Sequence, residues 1–274
     1  MALRLTRVAR LLAGCMVIGG ASVSFGVAAD AGTGARAHTY KGYAFDACAA
    51  PSVRAIRAWR ASPFRALNIY IGGGDRACGQ PNLSASWVRT VLGMGWRLIP
   101  TYVSLQAPHP SCPCASMNPW RANSEGVAAA TNAVHAASRL GIGRGNPIYD
   151  DMEGYALTSR NVNAVMAFLA GWTGRLHGLG YTSGVYSSAA SGIANLVWRV
   201  GRGYIEPNDI WIGDWNGHAT ADDPYVPAPD WSHNQRIHQY RGQHTDVFGG
   251  VRISIDSDFS RGAVVAPGTL GPRG

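Results

Sequence analysis

Eight short runs of β-branched and aromatic residues recur along the chain, and helix-compatible stretches separate most of them. The runs cover 41–46, 66–72, 96–105, 147–153, 182–187, 209–215, 236–240 and 252–258, and Gly, Pro, Asn or Asp bounds each one. Helical stretches are expected at 52–60, 84–94, 124–140, 160–177 and 189–199. Within 160–177, Val162, Val165, Leu169, Trp172 and Leu176 recur at spacings of three and four, which makes one apolar helix face. Ser124 is placed to cap the third helix at its start and Gly141 to end it. The Pro-rich link before the seventh run is expected to be irregular.

Strands that alternate with helices predict parallel βαβ units. A closed eightfold barrel and an open doubly wound sheet both satisfy that order. Eight units in about 230 residues favour the closed (β/α)8, TIM-type barrel as a single domain. No phosphate-binding glycine fingerprint follows the first run. Gly141-Ile142-Gly143-Arg144-Gly145 precedes a strand and reads as a helix-ending turn.

The start of the chain is read separately. Arg4, Arg7 and Arg10 precede an apolar, small-residue run that closes on Val27-Ala28-Ala29, the pattern of a cleaved signal peptide over 1–29. A short linker at 30–39, the barrel at 40–262 and a disordered tail at 263–274 complete the expected organisation. Losing Arg4, Arg7 and Arg10, with no acid in that segment, lowers the formal charge from +8 to +5. The remaining positive charge is spread out, so a nucleic-acid partner is disfavoured. No stable membrane insertion is expected after cleavage, and the mature protein is expected to be a monomer. Cys48, Cys78, Cys112 and Cys114 form an even set, which in an exported chain points to disulfides. Cys48–Cys78 is the favoured pair, because each follows a predicted strand end early in the chain; Cys112 and Cys114 are the awkward pair, since a bond across one residue is strained. A structural zinc is the alternative use of these thiols, but no CxxC or HExxH spacing supports it, so neither metal nor cofactor is expected.

In an eightfold barrel the chemistry sits at the C-terminal ends of the strands. Asp46 ends the first run, Asp150, Asp151 and Glu153 the fourth, Asp214 the sixth, and Asp256 and Asp258 the eighth. Helix capping would explain any one of these acids, but explains less well the four strands that contribute together. Asp151 and Glu153 are two apart on a strand and therefore share a face. Neighbouring carboxylates push their pKa values apart, so one keeps a proton for a glycosidic oxygen while the other stays ionised. Glu153, longer and nearer the strand end, is the candidate acid, and Asp151 its partner. Trp215, Tyr240, Tyr70 and Tyr102 are candidate sugar-stacking rings, and Asp214, Asp258 and Gln239 candidate hydroxyl partners. Asp150 is a third carboxylate that needs a partner of its own.

The segments 42–48, 69–73, 98–103, 105–108, 148–155, 180–188, 239–240 and 255–258 resemble, in order and over nearly the whole mature chain, those of the secreted bacterial glycoside-hydrolase-like barrel family, a distant relative of the family 25 lysozymes. The resemblance implies a (β/α) barrel, export, and a pocket like that of enzymes that cleave peptidoglycan. It assigns Glu153 as the acid, Asp151 as its partner, and Asp46 and Asp256 as acids of the first and last strands. The expected function is an exported glycan hydrolase, its substrate peptidoglycan or a related cell-wall polysaccharide. The alternative is a non-catalytic glycan-binding or wall-associated protein that keeps the cleft.

Overall fold

A computed structural model describes residues 37–110 and 112–270. The expected signal peptide, most of the linker and the last four residues of the expected tail lie outside the described residues. The strands are β1 (His38–Asp46), β2 (Ala66–Gly72), β3 (Arg97–Tyr102), β4 (Pro147–Met152), β5 (Thr182–Ser188), β6 (Asp209–Gly213), β7 (Arg236–Phe248) and β8 (Val251–Val264). The helices are α1 (Val53–Ala58), α2 (Ala85–Gly93), α3 (Ala122–Arg139), α4 (Ser159–Gly178) and α5 (Ala194–Arg199). A 3₁₀ turn, Trp59–Ala61, extends α1, and a π-helical turn, Ala189–Ile193, leads into α5.

The strands close in sequence order into the expected barrel. Their direction departs from expectation at one place. Strands β1 to β7 run parallel, but β8 is antiparallel to both β7 and β1. The reason is the length of the connection. Gly249 and Gly250 alone join β7 to β8, whereas a parallel crossover needs a dozen or more residues. The chain therefore turns back as a hairpin and enters the barrel from the mouth. Asp256 and Asp258 lie inside β8, not at its C-terminal end as expected, and β8 runs on to Val264.

Capping explains where most helices begin. The hydroxyls of Ser52, Ser84 and Thr158 accept from the N–H groups of Ala55, Trp87 and Asn161. The third helix differs from expectation. It starts at Ala122, and the Ser124 hydroxyl donates back to the Arg121 carbonyl inside the first turn. The Glu125 carboxylate accepts from the Asn118 N–H and ties the preceding loop to the helix.

Strand alternation divides the core into two layers. Ala44, Ile99, Tyr149, Trp211, Ile237 and Val264 fill the inside of the barrel. Phe45, Leu67, Leu98, Ile148, Met152 and Val185 face outward against the helices. Every residue of β4 is buried, as a strand covered on both faces must be. The stretch expected to be a disordered tail begins as structure. Val265 exchanges backbone hydrogen bonds with Leu98, and Thr269 bonds Ala266.

Cys48 is bonded to Cys78, as favoured, and Cys112 to Cys114, which leaves none of these thiols for the alternative zinc site. Among the described residues no helix is long and apolar enough to cross a membrane.

The hairpin of β7 and β8 reaches beyond the level of Asp46 and is pinned at its tip. Phe248 packs edge-on against Trp59 and Phe64, and the Trp59 indole N–H donates to the Val251 carbonyl at 2.9 Å. Gly249 sits at φ 56°, and a Cβ there would lie 2.5 Å from the Ala58 carbonyl oxygen. Gly249→Ala is therefore expected to cost at least about 1–2 kcal/mol, the penalty of the left-handed region for an L side chain, before any clash is relieved. A denaturant midpoint unchanged from wild type would show that the tip does not need its glycine.

Candidate active site at the barrel mouth

The mouth encloses a cavity of about 580 Å³ whose wall includes Asp46, Tyr70, Gln106, Asp151, Glu153 and Asp256. A smaller recess shares the four carboxylates and Tyr70, and adds Tyr186, Trp211, Trp215 and Gln239. The expected catalytic set is thus brought together, by strands β1, β4 and β8.

Asp151 and Glu153 come from β4 and the residue that follows it, and Gln106 holds this pair in place. Gln106 is buried in the loop after β3. Its amide nitrogen donates to the carbonyls of Asp151 (2.8 Å) and Ser104 (3.2 Å), and its amide oxygen accepts from the Glu153 N–H (2.8 Å). Its backbone is anchored as well, donating to Ala115 and accepting from Met117. Sequence reasoning missed this role. Gln106 is part of the segment that carries the resemblance, but nothing in the sequence brings its side chain to β4.

Asp46 and Asp256 are direct partners in the β1–β8 ladder and so present neighbouring carboxyls. Burial pushes the Asp46 carboxyl well above the usual range, and the charges of Asp258 and Asp256 push it further. Asp256 is raised by burial, while a hydrogen bond from Asp46 and the charge of His244 oppose the rise. Of the two, Asp46 is the more favoured site for a shared proton. Gln239 orients this pair. Its oxygen accepts from the Trp215 indole (2.8 Å) and the Tyr186 hydroxyl (3.1 Å), which leaves its nitrogen to donate to Asp46 Oδ2 (2.8 Å). A proton on Asp46 would therefore sit on its other oxygen, Oδ1.

Asp151 is 6% exposed, and burial raises its carboxyl well above the ordinary range, with the charges of Glu153 and Asp150 adding to the shift. Its Oδ1 is buried with no hydrogen-bond partner. Glu153 reaches solvent at the rim of the cavity. Its carboxyl is nonetheless raised, first by partial desolvation and then by the Asp256 charge, against a hydrogen bond from the Gly154 N–H. The two carboxyls differ in access, one enclosed and the other open to a substrate, and the stronger rise falls on the enclosed Asp151.

The remaining expected residues divide by strand face. Tyr70 lines the cavity, and Trp215, 68% exposed, lines the smaller recess with its ring over Gly242. Asp258 points inward but lies beneath the cavity, fully buried, where it accepts from the Trp211 indole at 2.9 Å. Tyr102 faces outward and packs against Trp172 of α4, away from the mouth. Tyr240 packs edge-on against His238 and lines neither cavity. Asp214 accepts from Asn216 behind β6 and likewise lines neither cavity. The one-residue alternation of strands separates these three from the pocket. Asp150 also faces outward, and Ser104 is the partner it needs, donating at 2.8 Å.

Asp214, Asp223 and His238 form the group of potential ligand atoms that converges most closely among the described residues. Both imidazole nitrogens, however, face backbone carbonyls, of Thr220 at 2.7 Å and Asp214 at 2.8 Å. That geometry suits a clasp holding the β6–β7 connection more than a metal site.

Two buried carboxyls away from the cavity make folding pH-dependent. Burial raises Asp150 and Asp209 to about 7, against a hydrogen bond from Ser104 in the first case and from the Ala263 N–H in the second. Carboxyls whose folded pKa exceeds the unfolded one bind protons preferentially in the folded state. Their stabilising effect is complete below the unfolded value, near 4, and is lost as pH rises toward about 7. Within that window each group is expected to lower stability by up to about 1.4 kcal/mol per pH unit. Chemical denaturation at pH 5 and pH 8 should therefore give a higher midpoint at pH 5, and Asp150→Asn should shrink the difference. A higher midpoint at pH 8 would contradict this reading.

Comparison with known proteins agrees with the barrel. A family described as "Rv2525c-like, glycoside hydrolase-like domain" matches residues 57–260. Among solved structures, the Tat-secreted protein Rv2525c of Mycobacterium tuberculosis, in complex with L-tartrate, is similar at 18% identity and a TM-score of 0.56, over 81% of this chain and 96% of that one. An uncharacterized B. stearothermophilus protein is similar at 18% identity and a TM-score of 0.54, over 80% and 95%. The modular autolysin LytC of Streptococcus pneumoniae is similar at 10% identity and a TM-score of 0.51, over 80% of this chain and 46% of that one. At these identities the likenesses show the fold. No curated protein matches the chain.

Proposed function

The chain belongs to the Rv2525c-like, glycoside hydrolase-like family, and from that premise we propose that it is an exported hydrolase of glycosidic bonds in peptidoglycan or a related cell-wall polysaccharide. The observation that carries the reading is the pair on β4. Asp151 is enclosed and Glu153 open, both on the wall of one cavity, and both have raised carboxyls. Glu153 acts as general acid and protonates the leaving glycosidic oxygen. Asp151, whose raised carboxyl favours its proton while the cleft is empty, stabilises the positive charge on the sugar ring once that charge draws the proton off, and its unpartnered oxygen is free to face it. The Asp46–Asp256 pair holds a further proton at the opposite wall and orients the attacking group. Trp215 and Tyr70 offer ring faces to the sugar. The autolytic role named for LytC and the two disulfides support a substrate outside the cell.

The test is release of reducing ends from purified peptidoglycan by the protein lacking residues 1–29. Steady release supports the hydrolase. Co-sedimentation with the polymer and no release would replace it with the non-catalytic glycan-binding protein.

A further inference from the structure

The mouth is rich in carboxyls and short of donors for them. Asp46, Asp151, Glu153 and Asp256 share one cavity wall with Asp75, and Arg76 is the cationic side chain among its lining residues. Arg76 donates to the Tyr70 carbonyl at 3.3 Å. The ion pairs among the described residues use other acids. His244, on the hairpin, bonds Ser257 and lies 3.5 Å from Asp246, and its charge opposes the rise of the Asp256 carboxyl. Three carboxylate oxygens of the wall, Asp75 Oδ2, Asp151 Oδ1 and Asp256 Oδ1, are buried with no hydrogen-bond partner. Enclosed acceptors without donors are costly, and more so when charged. The site calls for a ligand that brings N–H or O–H donors with positive charge.

Two cations could answer that call, and geometry separates them. A metal ion needs ligand atoms converging on one point. Among the described residues, the group that meets that condition is Asp214, Asp223 and His238, not the mouth carboxylates. Carboxylates spread around a cavity of about 580 Å³ suit an organic cation with the size of a sugar unit. An ammonium group carries three donors and a full charge, whereas an N-acetyl group in its place carries one donor, no charge and an added acyl volume.

We propose that the cleft selects glycans whose sugar units carry a free amino group over their N-acetylated counterparts, with the ammonium group donating to Asp151 and Asp256. This rests on the reading of the mouth as a glycan cleft and adds the chemical class of the sugar.

The probes are glucosamine oligomers, fully de-N-acetylated and fully N-acetylated, of one length. They are titrated calorimetrically into the Glu153→Gln protein so that no turnover intervenes. The amine form is expected to bind at least about tenfold more tightly, and added salt is expected to weaken it more than the acetylated form. Asp256→Asn and Asp151→Asn, each in the Glu153→Gln background and each shown to melt cooperatively, are expected to narrow the preference several-fold. Equal affinity for the two oligomers, preference for the acetylated one, or binding of neither overturns the proposal. So does calcium binding at the mouth that the amine oligomer fails to displace. The hydrolase reading is judged separately by reducing-end release from peptidoglycan: amine selectivity without release sinks the hydrolase alone, and release without selectivity sinks this inference alone.

Discussion

Glu153→Gln is expected to lower the rate of reducing-end release about 10²- to 10⁴-fold, the usual contribution of a positioned general acid. The substitution keeps the shape of the side chain and leaves the backbone N–H of residue 153 on Gln106. What it removes is the proton for the leaving oxygen. Because Glu153 reaches solvent, little buried structure depends on its carboxyl, and the melting temperature should stay near that of the wild type. In the wild-type protein the raised carboxyl of Glu153 sets the alkaline limb of the pH–rate profile, since an acid is active while protonated. The rate should fall as pH climbs through that raised value, and Glu153→Gln should lose the limb. Release by the variant at the wild-type rate would remove Glu153 from the mechanism and direct attention to the Asp46–Asp256 pair.

The second large effect is expected at a residue that need not touch the substrate. Gln106→Leu keeps approximate volume but strips the donor and acceptor that Gln106 offers to β4. The Glu153 N–H and the Asp151 and Ser104 carbonyls lose their partner inside a buried region. Each stranded group costs about 1–3 kcal/mol, so the three together are expected to cost roughly 3–9 kcal/mol. For a chain of this size that corresponds to a fall in melting temperature on the order of 6–36 °C. Activity should fall as well, because the Asp151–Glu153 segment loses the clamp that sets its position. Thermal melts and reducing-end release on the same preparation check both parts. A melting shift with an undiminished rate in the folded fraction would make Gln106 purely structural, and no shift at all would refute the clamp.

These expectations rest unequally on sequence and structure. The D-x-E pair was legible because strand periodicity is local: two residues apart on a strand means one face, whatever surrounds it. The same periodicity explains three misplaced candidates. Tyr102 ends β3, Asp214 lies just beyond β6 and Tyr240 lies inside β7, but their parity turns them away from the pocket. A strict alternation count anchored on Asp151, Gln239 and the barrel interior would have identified them. The direction of β8 was also available in principle, since Gly249-Gly250 between two β-rich runs is a hairpin signal and too short for a crossover. Asp256 was correctly expected at the mouth, but for the wrong reason, because the strand enters there.

The sequence by itself determined the number and order of the strands and the carboxylates that could meet at one end, and it favoured the closed barrel and the Cys48–Cys78 bond. All of these follow from spacing, periodicity and composition, which act over a few residues or repeat along the chain. The tertiary structure alone decided how those carboxylates are tuned. Gln106 reaches β4 across 45 and 47 positions of sequence, and Gln239 reaches Asp46 across 193. Which oxygen carries a proton, which carboxyl is enclosed and which is open depend on contacts between strands far apart in the chain. Burial and hydrogen-bond geometry are properties of the closed barrel as a whole, and no local pattern encodes them.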